Sequence, residues 1–409
     1  MSQSHNRKIA YIVAEYPSLT ETFVAREIQA LRQAGLTVQV FALDRWRGNK
    51  HNRPAVPDAD RIRYSSGFFT PASLRAHGRF LIRKFPAYCA LFLRTLFGKG
   101  IRGRRGIPRR FRLFHRVVIL RHYGEKEGVT RFHAQFAHVT AEIAREAARV
   151  LNIPFSVGTH AWDIFSQEAE NTRAYLRGAD VITCCTRKGI KRLQTLLPRE
   201  HHANLLLVRH GLPADILKHC SKGKGHLILA VGRLVPKKGY CDLIDACDLL
   251  RSDGLDITCL IVGDGELRKP LTEMIKILKL DDCVRLTGEM RQAAVMALME
   301  TETAVFCHPS IIDEQGDHDG LPNVILEAMC CGLPVVSTTV SAADEIITNT
   351  VNGVLIPQKN PDALAHALGS LLTNPGLRAE LGANARETIL EHFAAADCVK
   401  PLADRFLAG

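Results

Sequence analysis

The stretch TAVFCHPSIIDEQGDHDGLPNVILEAMCCGLPVVST, residues 303–338, contains one complete strand–helix–strand unit. The apolar run at 303–307 predicts a buried strand, Pro322 suits the first turn of a helix, and the next strand follows at 334–337. A strand, a crossover helix and a second strand form the repeating unit of a parallel sheet. The stretch therefore places the chain in the α/β class.

The same alternation extends in both directions, and a polar, Gly- and Lys-rich stretch at 218–225 interrupts it once. Strands are predicted at 8–14, 36–43, 131–136, 153–159, 179–184 and 204–208 before the interruption, and at 226–231, 256–262, 283–287, 303–307, 334–337 and 353–356 after it. The pattern predicts two tandem doubly wound, Rossmann-like parallel-sheet domains, residues 1–217 and 218–385. Residues 386–409 are predicted to form a C-terminal helix that packs back on the N-terminal domain.

Length and composition agree with two globular domains. The chain has 409 residues, of which 46% are hydrophobic and 23% charged, which excludes a disordered, collagen-like or coiled-coil protein. The formal net charge of +12 indicates an anionic partner: a nucleotide, a phosphate group, a nucleic acid or a membrane surface.

The cysteines and the apolar runs bear on the cellular compartment. The twelve cysteines include no CxxC pair, which predicts buried free thiols in a reducing cytosol rather than disulfides or a zinc site. The first apolar run, 9–14, is too short for a signal peptide, and the sequence has no run of about 18 apolar residues. We therefore expect a cytoplasmic protein, peripheral at the inner face of the cytoplasmic membrane.

The segment 61–124 departs from the strand–helix alternation. It contains 16 Lys and Arg residues and no Asp or Glu, with large apolar side chains between them. This pattern predicts one or two amphipathic basic helices with a Gly/Arg-rich loop, of the kind that lie on anionic bilayers. The alternative is a solvated basic insertion whose apolar stripe packs against the first sheet. Nucleic acid is not expected as a partner, because no recognised nucleic-acid motif accompanies the charge.

Ligands of open parallel sheets bind beyond the carboxyl ends of the strands, so we expect a binding cleft where the two domains face each other. After the strand at 226–231, the sequence GRLVPKKG supplies Gly232, Arg233 and Lys238 just before a helix. A glycine turn, two cations and a helix N-terminus are typical of a pyrophosphate cradle. The alternative is a glycine turn with solvated basic residues.

The turn after the strand at 256–262 is a weaker candidate. Gly263 and Asp264 begin the sequence GDGE, which matches only half of a GxGxxG fingerprint because Arg268 stands at the last glycine position. A tight turn that caps a helix at 266–279 is the simpler interpretation. Contact between this turn and a nucleotide is the other.

Two carboxylates follow the strand at 303–307. Asp319 and Glu327 are separated by seven residues, and Asp319 precedes a helix predicted to begin near Pro322. Glu327 stands in the apolar run VILEAMCCG, where a carboxylate is costly unless it has a partner or a ligand. Otherwise, Glu327 would be a charge on the helix surface. Four residues between them are further candidates for ligand binding: Gly320, Leu321, Pro322 and Asn323.

Polar residues also follow the strands of the N-terminal domain. His160 comes directly after the strand at 153–159, and His133 and Gln135 lie at the end of the strand at 131–136. Their positions make His160 and His133 candidates for contact with a ligand. The alternative for both is a histidine with a purely structural role. In the sequence SLTETF, Ser18 and Glu21 fit a capping box, whereas Thr20 and Thr22 are candidates for contact with a substrate.

Together, these segments resemble the family-4 retaining glycosyltransferases, which have the GT-B architecture. The resemblance covers nearly the whole chain outside 61–124, and the family's acid-x7-acid motif is present as Asp319 and Glu327, with Asp where Glu is usual. The bacterial exopolysaccharide branch, of colanic-acid type, is particularly similar in EYPSLTETFV, FHAQFA, GTHAWDI, GRLVPKKG and GDHDGLPNVILEAMCCGLPVVST.

The resemblance implies a hexosyltransferase that uses a nucleoside-diphosphate sugar. Glu327 would hold the ribose hydroxyls, Arg233 and Lys238 the pyrophosphate, and Asp319 with the backbone at 320–322 the transferred sugar. His160 would contact that sugar near the reacting carbon. The family requires no metal for donor binding, and we expect no other cofactor. The acceptor would be a glycan, lipid-linked, of exopolysaccharide or lipopolysaccharide biosynthesis.

Two alternatives remain open from the sequence. One is a nucleotide-sugar epimerase on the same two-domain plan, which would need a dedicated acid and base. The other is a non-catalytic protein that binds membranes through 61–124. Neither the sugar, the nucleotide base nor the acceptor can be read from the sequence.

Overall fold

The computed structural model describes residues 7–18, 21–45, 62–65, 67–97, 106–219, 225–340 and 342–408. The chain forms two compact units. The first contains Met1–Val208 together with Val399–Gly409, and the second contains Arg209–Cys398. The division thus falls at 208/209, nine residues before the predicted boundary at 217/218, because the polar stretch lies within the second unit.

A parallel sheet of seven strands forms the centre of the first unit. The strands are β1 (Lys8–Tyr16), β2 (Thr37–Arg45), β3 (Ile62–Tyr64), β4 (Arg131–Gln135), β5 (Phe155–Thr159), β6 (Val181–Cys184) and β7 (Leu205–Leu207). Their order is β3-β2-β1-β4-β5-β6-β7, so the chain proceeds in opposite directions from β1 and from β4. The strands β1 and β4 pair with Ile9 beside Arg131. The crevice at the carboxyl ends of β1 and β4 is therefore the switch point, where ligands of such sheets bind.

Helices cover this sheet. They are α1 (Thr22–Gln33), α2 (Pro71–Arg83), α3 (Phe85–Phe97), α4 (Ile107–Glu127), α5 (Val139–Leu151), α6 (Ala169–Leu176) and α7 (Arg187–Leu196), with a short helical turn at Trp162–Ser166. The predicted capping box is wrong: Glu21 is the N-cap of α1 and makes no side-chain cap hydrogen bond. A Ser18 N-cap would start the helix at residue 19, whereas α1 begins at Thr22.

The basic segment forms three helices, α2, α3 and α4, rather than one or two, because the helical structure is interrupted at Lys84 as well as near the Gly/Arg-rich loop. It also contributes β3, which the sequence analysis missed. The apolar stripe is partly core, since Phe80, Leu91 and Phe114 are buried in the same cluster as Phe132 of β4. The interpretation of this segment as an insertion packed on the first sheet is therefore right for these side chains.

The second unit is built on a parallel sheet of six strands. They are β8 (Leu227–Val231), β9 (Thr258–Val262), β10 (Val284–Gly288), β11 (Thr303–His308), β12 (Val335–Thr338) and β13 (Val354–Ile356), in the order β10-β9-β8-β11-β12-β13. Its helices are α8 (Ala214–His219), α9 (Tyr240–Ser252), α10 (Arg268–Ile277), α11 (Gln292–Thr301), α12 (Asn323–Cys330), α13 (Pro361–Thr373) and α14 (Pro375–His392). Here the switch point lies between β8 and β11. Two doubly wound parallel sheets in tandem are the two-domain GT-B architecture.

The last helix, α15 (Ala395–Ala408), returns the chain to the first unit after residue 398. Within that unit, the Arg7 guanidinium donates a 2.7 Å hydrogen bond to the Phe406 carbonyl, and the Phe406 ring lies 5.6 Å from the His133 ring.

The cysteines of the described residues are all free thiols, and eight of them are buried. Among the helices of the described ranges, none combines the length and the apolar character needed to cross a membrane.

Candidate functional site

The donor-binding candidates of the second unit follow the two strands that flank its switch point. Gly232 and Arg233 come directly after β8, and Asp319 belongs to the long connection after β11. The Arg233 side chain is exposed, whereas Lys238 and Asp319 have side chains only 14% and 13% exposed. Reading the residues beyond the carboxyl end of each strand therefore identified side chains that lie at one edge of this sheet.

Lys238 and Asp319 form an ion pair that the sequence analysis did not foresee. The Lys238 Nζ atom donates a 2.6 Å hydrogen bond to Asp319 Oδ2. The Ser310 hydroxyl donates to the same oxygen at 2.9 Å, and His308 Nε2 lies 3.2 Å from it. Burial opposes ionisation, but the charge of Lys238 and the contact with His308 hold the pKa of Asp319 well below its usual range. Asp319 is therefore a carboxylate held by partners of its own unit.

Glycines shape the two turns beside this pair. A Cβ atom on Gly232 would lie 3.0 Å from Lys238 Cε, so glycine leaves the passage through which the lysine reaches Asp319. Gly263 has φ +146°, and a Cβ atom there would lie 1.9 Å from the Gly232 carbonyl oxygen. The turn after β9 packs directly on the turn after β8, and Asp264 accepts a 2.8 Å hydrogen bond from the Gly265 amide. These contacts support the tight-turn interpretation of GDGE.

Glu327 lies in the buried face of α12 and is 5% exposed. Its carboxylate Oε1 accepts a 2.8 Å hydrogen bond from the Gln292 amide of α11. The carboxylate therefore has a partner on the neighbouring helix, which removes part of the reason for expecting a ligand. A charge on the helix surface is excluded by the same burial.

The four residues before and at the start of α12 hold the connection in place. Pro322 is the N-cap and Asn323 the first helical residue, one position later than the sequence suggested. The Gly320 carbonyl accepts a 3.1 Å hydrogen bond from the Ala342 amide, and Leu321 is buried. The Asn323 side-chain oxygen lies 3.0 Å from His210 Nδ1.

In the first unit, His160 lies at the carboxyl end of β5 between two aromatic rings. The centroids of the Phe23 and Phe136 rings lie 4.7 and 4.5 Å from that of His160. His160 Nε2 lies 3.0 Å from Gln135 Oε1, at the end of the neighbouring strand β4. Thr22 is the first residue of α1 and is half-buried, whereas Thr20 lies outside the described residues.

His133 is fully buried in β4. Its Nδ1 atom lies 2.9 Å from the Ser156 hydroxyl of β5, and the Tyr11 ring lies 4.5 Å away. A side chain inside the sheet has no surface for an acceptor, so the structural interpretation of this histidine is right. We leave His133 out of the proposed site.

Several polar residues of these sites went unnoticed in the sequence. His308 is the last residue of β11 and Ser310 lies two residues beyond it, so the rule of reading from the end of each strand could have found them. Glu27 lies in the middle of α1 and Gln292 is the first residue of α11, and no local pattern distinguishes either from a surface residue.

Asp163 provides a pH-dependent test of the His160 turn. It is fully buried, and its Oδ2 atom accepts a 2.9 Å hydrogen bond from the His160 amide. Burial raises its pKa from 3.8 to about 7, although backbone hydrogen bonds lower it. The folded state thus retains a proton that the unfolded chain loses above pH 4, and the associated stability is lost as the pH rises through about 7.

We therefore expect Asp163→Asn to abolish this loss. Relative to the wild-type protein, the variant should gain roughly 2–3 kcal/mol of unfolding free energy between pH 5 and pH 8, since one pKa unit corresponds to ~1.4 kcal/mol. Urea unfolding followed by tryptophan fluorescence measures it, because Trp162 directly precedes Asp163 in the first unit. Glu170→Gln, an exposed carboxylate of α6, is the control. Parallel pH dependence of wild-type protein and Asp163→Asn would contradict the expectation.

Comparison with known proteins finds a family model that matches most of the second unit. Residues 214–388 match the family model described as glycosyl transferases group 1. Two curated relatives extend over most of the chain. The amylovoran biosynthesis glycosyltransferase AmsK of Erwinia amylovora is 26% identical over 88% of this chain and 89% of its own. The "Putative colanic acid biosynthesis glycosyltransferase WcaL" of Escherichia coli K12 is 27% identical over 89% and 90%.

Solved structures share the two-domain fold. The crystal structure of Anabaena HepE in complex with UDP and glucose aligns with a TM-score of 0.70 at 17% identity, over 98% of this chain and 99% of that one. The lipopolysaccharide outer core galactosyltransferase WaaB in its apo form aligns with a TM-score of 0.66 at 16% identity, over 98% and 99%. The chain is a glycosyltransferase with the GT-B architecture, similar to the exopolysaccharide branch, and its residues 214–388 match the model of glycosyl transferases group 1.

Proposed function

We propose that the protein is a retaining hexosyltransferase that moves a sugar from a nucleoside-diphosphate sugar to a lipid-linked glycan in exopolysaccharide or lipopolysaccharide biosynthesis. The observation that carries the proposal is the Lys238–Asp319 ion pair, only 14% and 13% exposed, at the same switch point of the second sheet where β8 leads into the exposed Arg233. The names of AmsK and WcaL support the exopolysaccharide pathway, and the UDP in the HepE structure supports a nucleotide-sugar donor.

Each donor group has a candidate partner in the second unit. Arg233 and Lys238 bind the pyrophosphate, Glu327 binds the ribose hydroxyls, and Asp319 with the backbone of 320–322 binds the transferred sugar. Arg233 is exposed and ready for an anion, whereas Lys238 shares its charge with Asp319. The proposal needs no metal ion, because these two cations offset the charge of the pyrophosphate.

The chemical step follows from the same placement. The bond between the anomeric carbon and the diphosphate oxygen breaks, and an acceptor oxygen forms the new bond on the same face of the sugar. The acceptor proton passes to the departing phosphate oxygen. Negative charge grows on that phosphate in the transition state, where Arg233 and Lys238 stabilise it. His160 contacts the sugar near the reacting carbon.

The function is tested by incubating the protein with a panel of radiolabelled UDP- and GDP-sugars and a membrane lipid extract. Transfer of label to the lipid fraction supports the proposal, and the donor that works identifies the sugar and the base. If the labelled sugar stays attached to the nucleotide but is converted to a different sugar, the protein is the epimerase. No reaction with any donor indicates the non-catalytic binding protein.

We further propose that α2, α3 and α4 dock the protein on the cytoplasmic membrane surface. Of the sixteen exposed large apolar side chains in the described residues, ten lie between 68 and 111. Ile82 and Phe85 are 83% and 59% exposed at the corner between α2 and α3, with the exposed cations Arg83 and Lys84 between them. Apolar side chains among cations suit an anionic bilayer.

Some of the basic residues have other partners. Arg116 pairs with Asp44 at 3.0 Å, Arg94 with Glu146 at 3.4 Å, and Arg110 donates to the Leu96 carbonyl. Arg109 and Arg112 are exposed on α4 and are the better choice for substitution.

Charge reversal in Arg109→Glu/Arg112→Glu is expected to weaken binding to anionic vesicles at least tenfold, since each cation near such a surface contributes about 1 kcal/mol. Ile82→Ser/Phe85→Ser should remove the part of binding that resists high salt. Vesicle co-sedimentation at low and high salt measures both effects. The control is Lys191→Glu/Arg192→Glu, an equal charge change on the exposed face of α7. Wild-type protein that ignores anionic vesicles at low salt would contradict membrane docking.

A further inference from the structure

A chain of three hydrogen-bonded polar side chains lies behind His160 in the first unit. Tyr11 of β1 donates a 3.0 Å hydrogen bond to Glu27 Oε1 of α1. The Gln135 amide nitrogen, at the end of β4, donates to the same carboxylate oxygen at 2.7 Å. The Gln135 amide oxygen faces His160 Nε2 at 3.0 Å. The chain thus connects three elements of the switch point with the turn after β5.

The donors and acceptors of this chain determine which nitrogen of His160 carries a proton. Burial raises the pKa of Tyr11 well above its usual value, so the phenol remains a donor. The amide nitrogen of Gln135 is committed to Glu27, which leaves only the amide oxygen toward His160. An amide oxygen can only accept, so Nε2 of His160 carries hydrogen and the neutral ring has its lone pair on Nδ1.

The protonation state of Glu27 does not change this polarity. Burial raises its pKa to about 7, although the hydrogen bonds from Tyr11 and Gln135 lower it. When the carboxyl is neutral and the proton is on Oε2, Oε1 still accepts from both donors. The orientation of Gln135 is thus the same on either side of pH 7.

The surroundings restrict the side-chain conformations of Gln135 and His160. A Cβ atom on Gly158 would lie 2.7 Å from Gln135 Oε1, so glycine in β5 provides the space for this amide. Gln135 is 1% exposed. The His160 backbone is held by Asp163, and Phe23 and Phe136 flank the ring.

We propose that Glu27 and Gln135 are positioning residues that keep His160 in the Nε2–H tautomer, so that the ring accepts a hydrogen bond from a substrate hydroxyl through Nδ1. The inference rests on the proposed function, in which His160 contacts the transferred sugar. It adds that this contact is one in which the sugar donates and the histidine accepts.

The tautomer is measured directly by nuclear magnetic resonance of protein labelled with ¹⁵N at histidine. His160→Ala identifies the His160 signals among the seventeen histidines. We expect a pyrrole-type Nε2 and a pyridine-type Nδ1 in the wild-type protein at neutral pH. In Gln135→Leu, both signals should move toward the average of the two tautomers. An Nδ1–H tautomer in the wild-type protein overturns the proposal, whatever the enzyme transfers.

Kinetics separate positioning from general stability. Gln135→Leu should lower kcat about tenfold, the loss typical of one hydrogen bond, and leave KM for the donor nearly unchanged. Gln135→Glu keeps an acceptor for Nε2–H, so it should restore most of kcat and shift the acid limb of the pH profile to higher pH. The control is Gln39→Leu in β2, which is separated from β4 by β1 and where the glutamine contacts Tyr123. Wild-type kcat in Gln135→Leu contradicts positioning.

The variant His160→Ala separates the proposed contact between His160 and the sugar from the proposed positioning role of Glu27 and Gln135. If it transfers sugar at the wild-type rate, the proposed contact between His160 and the sugar fails. If His160→Ala is inactive but Gln135→Leu and Glu27→Leu are fully active, the contact stands and the positioning role of the chain fails.

Discussion

Arg233→Ala is expected to lower kcat/KM for sugar transfer by roughly 10²–10³-fold, because removing one preorganised charged contact to a developing oxyanion typically costs ~2–4 kcal/mol. The Arg233 side chain is exposed after β8, so its loss should not disturb the core. Lys238→Ala should have an effect of similar size. Steady-state rates with the donor identified by the panel measure both.

The two variants differ in what they leave behind. Lys238→Ala deprives Asp319 of its 2.6 Å partner and leaves a buried carboxylate with Ser310 and His308. Part of its loss could then come from a disturbed Asp319, and a double-mutant cycle with Asp319→Asn measures that part. Arg251→Ala is the control. It removes an exposed cation of α9 that pairs with Asp282, and the variant should stay within about twofold of the wild-type rate. Near-normal turnover in both Arg233→Ala and Lys238→Ala would eliminate the phosphate role.

The two sheets could be predicted from the sequence because each strand of a parallel sheet is a short apolar run followed by a helix. The strand β3 escaped because it has only three residues, Ile62–Tyr64, within a basic segment. The number of helices in that segment depended on the interruption at Lys84, which Pro86 signals two residues later, because proline is disfavoured inside a helix and suits the first turn of the next one.

The site was predictable as a list of residues rather than as a set of contacts. Lys238 and Asp319 are 81 positions apart, and each was assigned to a different part of the donor, so their pairing could not be read from either motif. Glu327 and Gln292 show the same limit, because the partner lies on the preceding helix. His133 misled for another reason: a central strand of a parallel sheet is buried on both faces, so its polar residues need not point to a ligand.

Glu327 offers the second large effect, which is on donor affinity. Glu327→Ala is expected to weaken binding of the nucleoside diphosphate by roughly 10²-fold, because hydrogen bonds from two ribose hydroxyls to a charged carboxylate contribute ~1.5–3 kcal/mol each before losses. Calorimetric titration measures the affinity, and thermal unfolding checks that the fold survives. Glu391→Ala, an exposed glutamate of α14, is the control.

A second ligand separates ribose binding from support of the helix. The Gln292 amide donates to Glu327 Oε1, so Glu327→Ala also leaves a half-buried amide without this acceptor and can loosen α11 against α12. A 2′,3′-dideoxy nucleoside diphosphate lacks the hydroxyls, so wild-type protein and Glu327→Ala should bind it with nearly equal affinity if the carboxylate acts on the ribose. If the variant instead weakens both nucleotides by the same factor, Glu327 acts through the packing of α12. Unchanged affinity for the ordinary nucleotide in a folded Glu327→Ala protein would make the residue purely structural, and the donor would then have to be held by Arg233, Lys238 and the loop at 320–322.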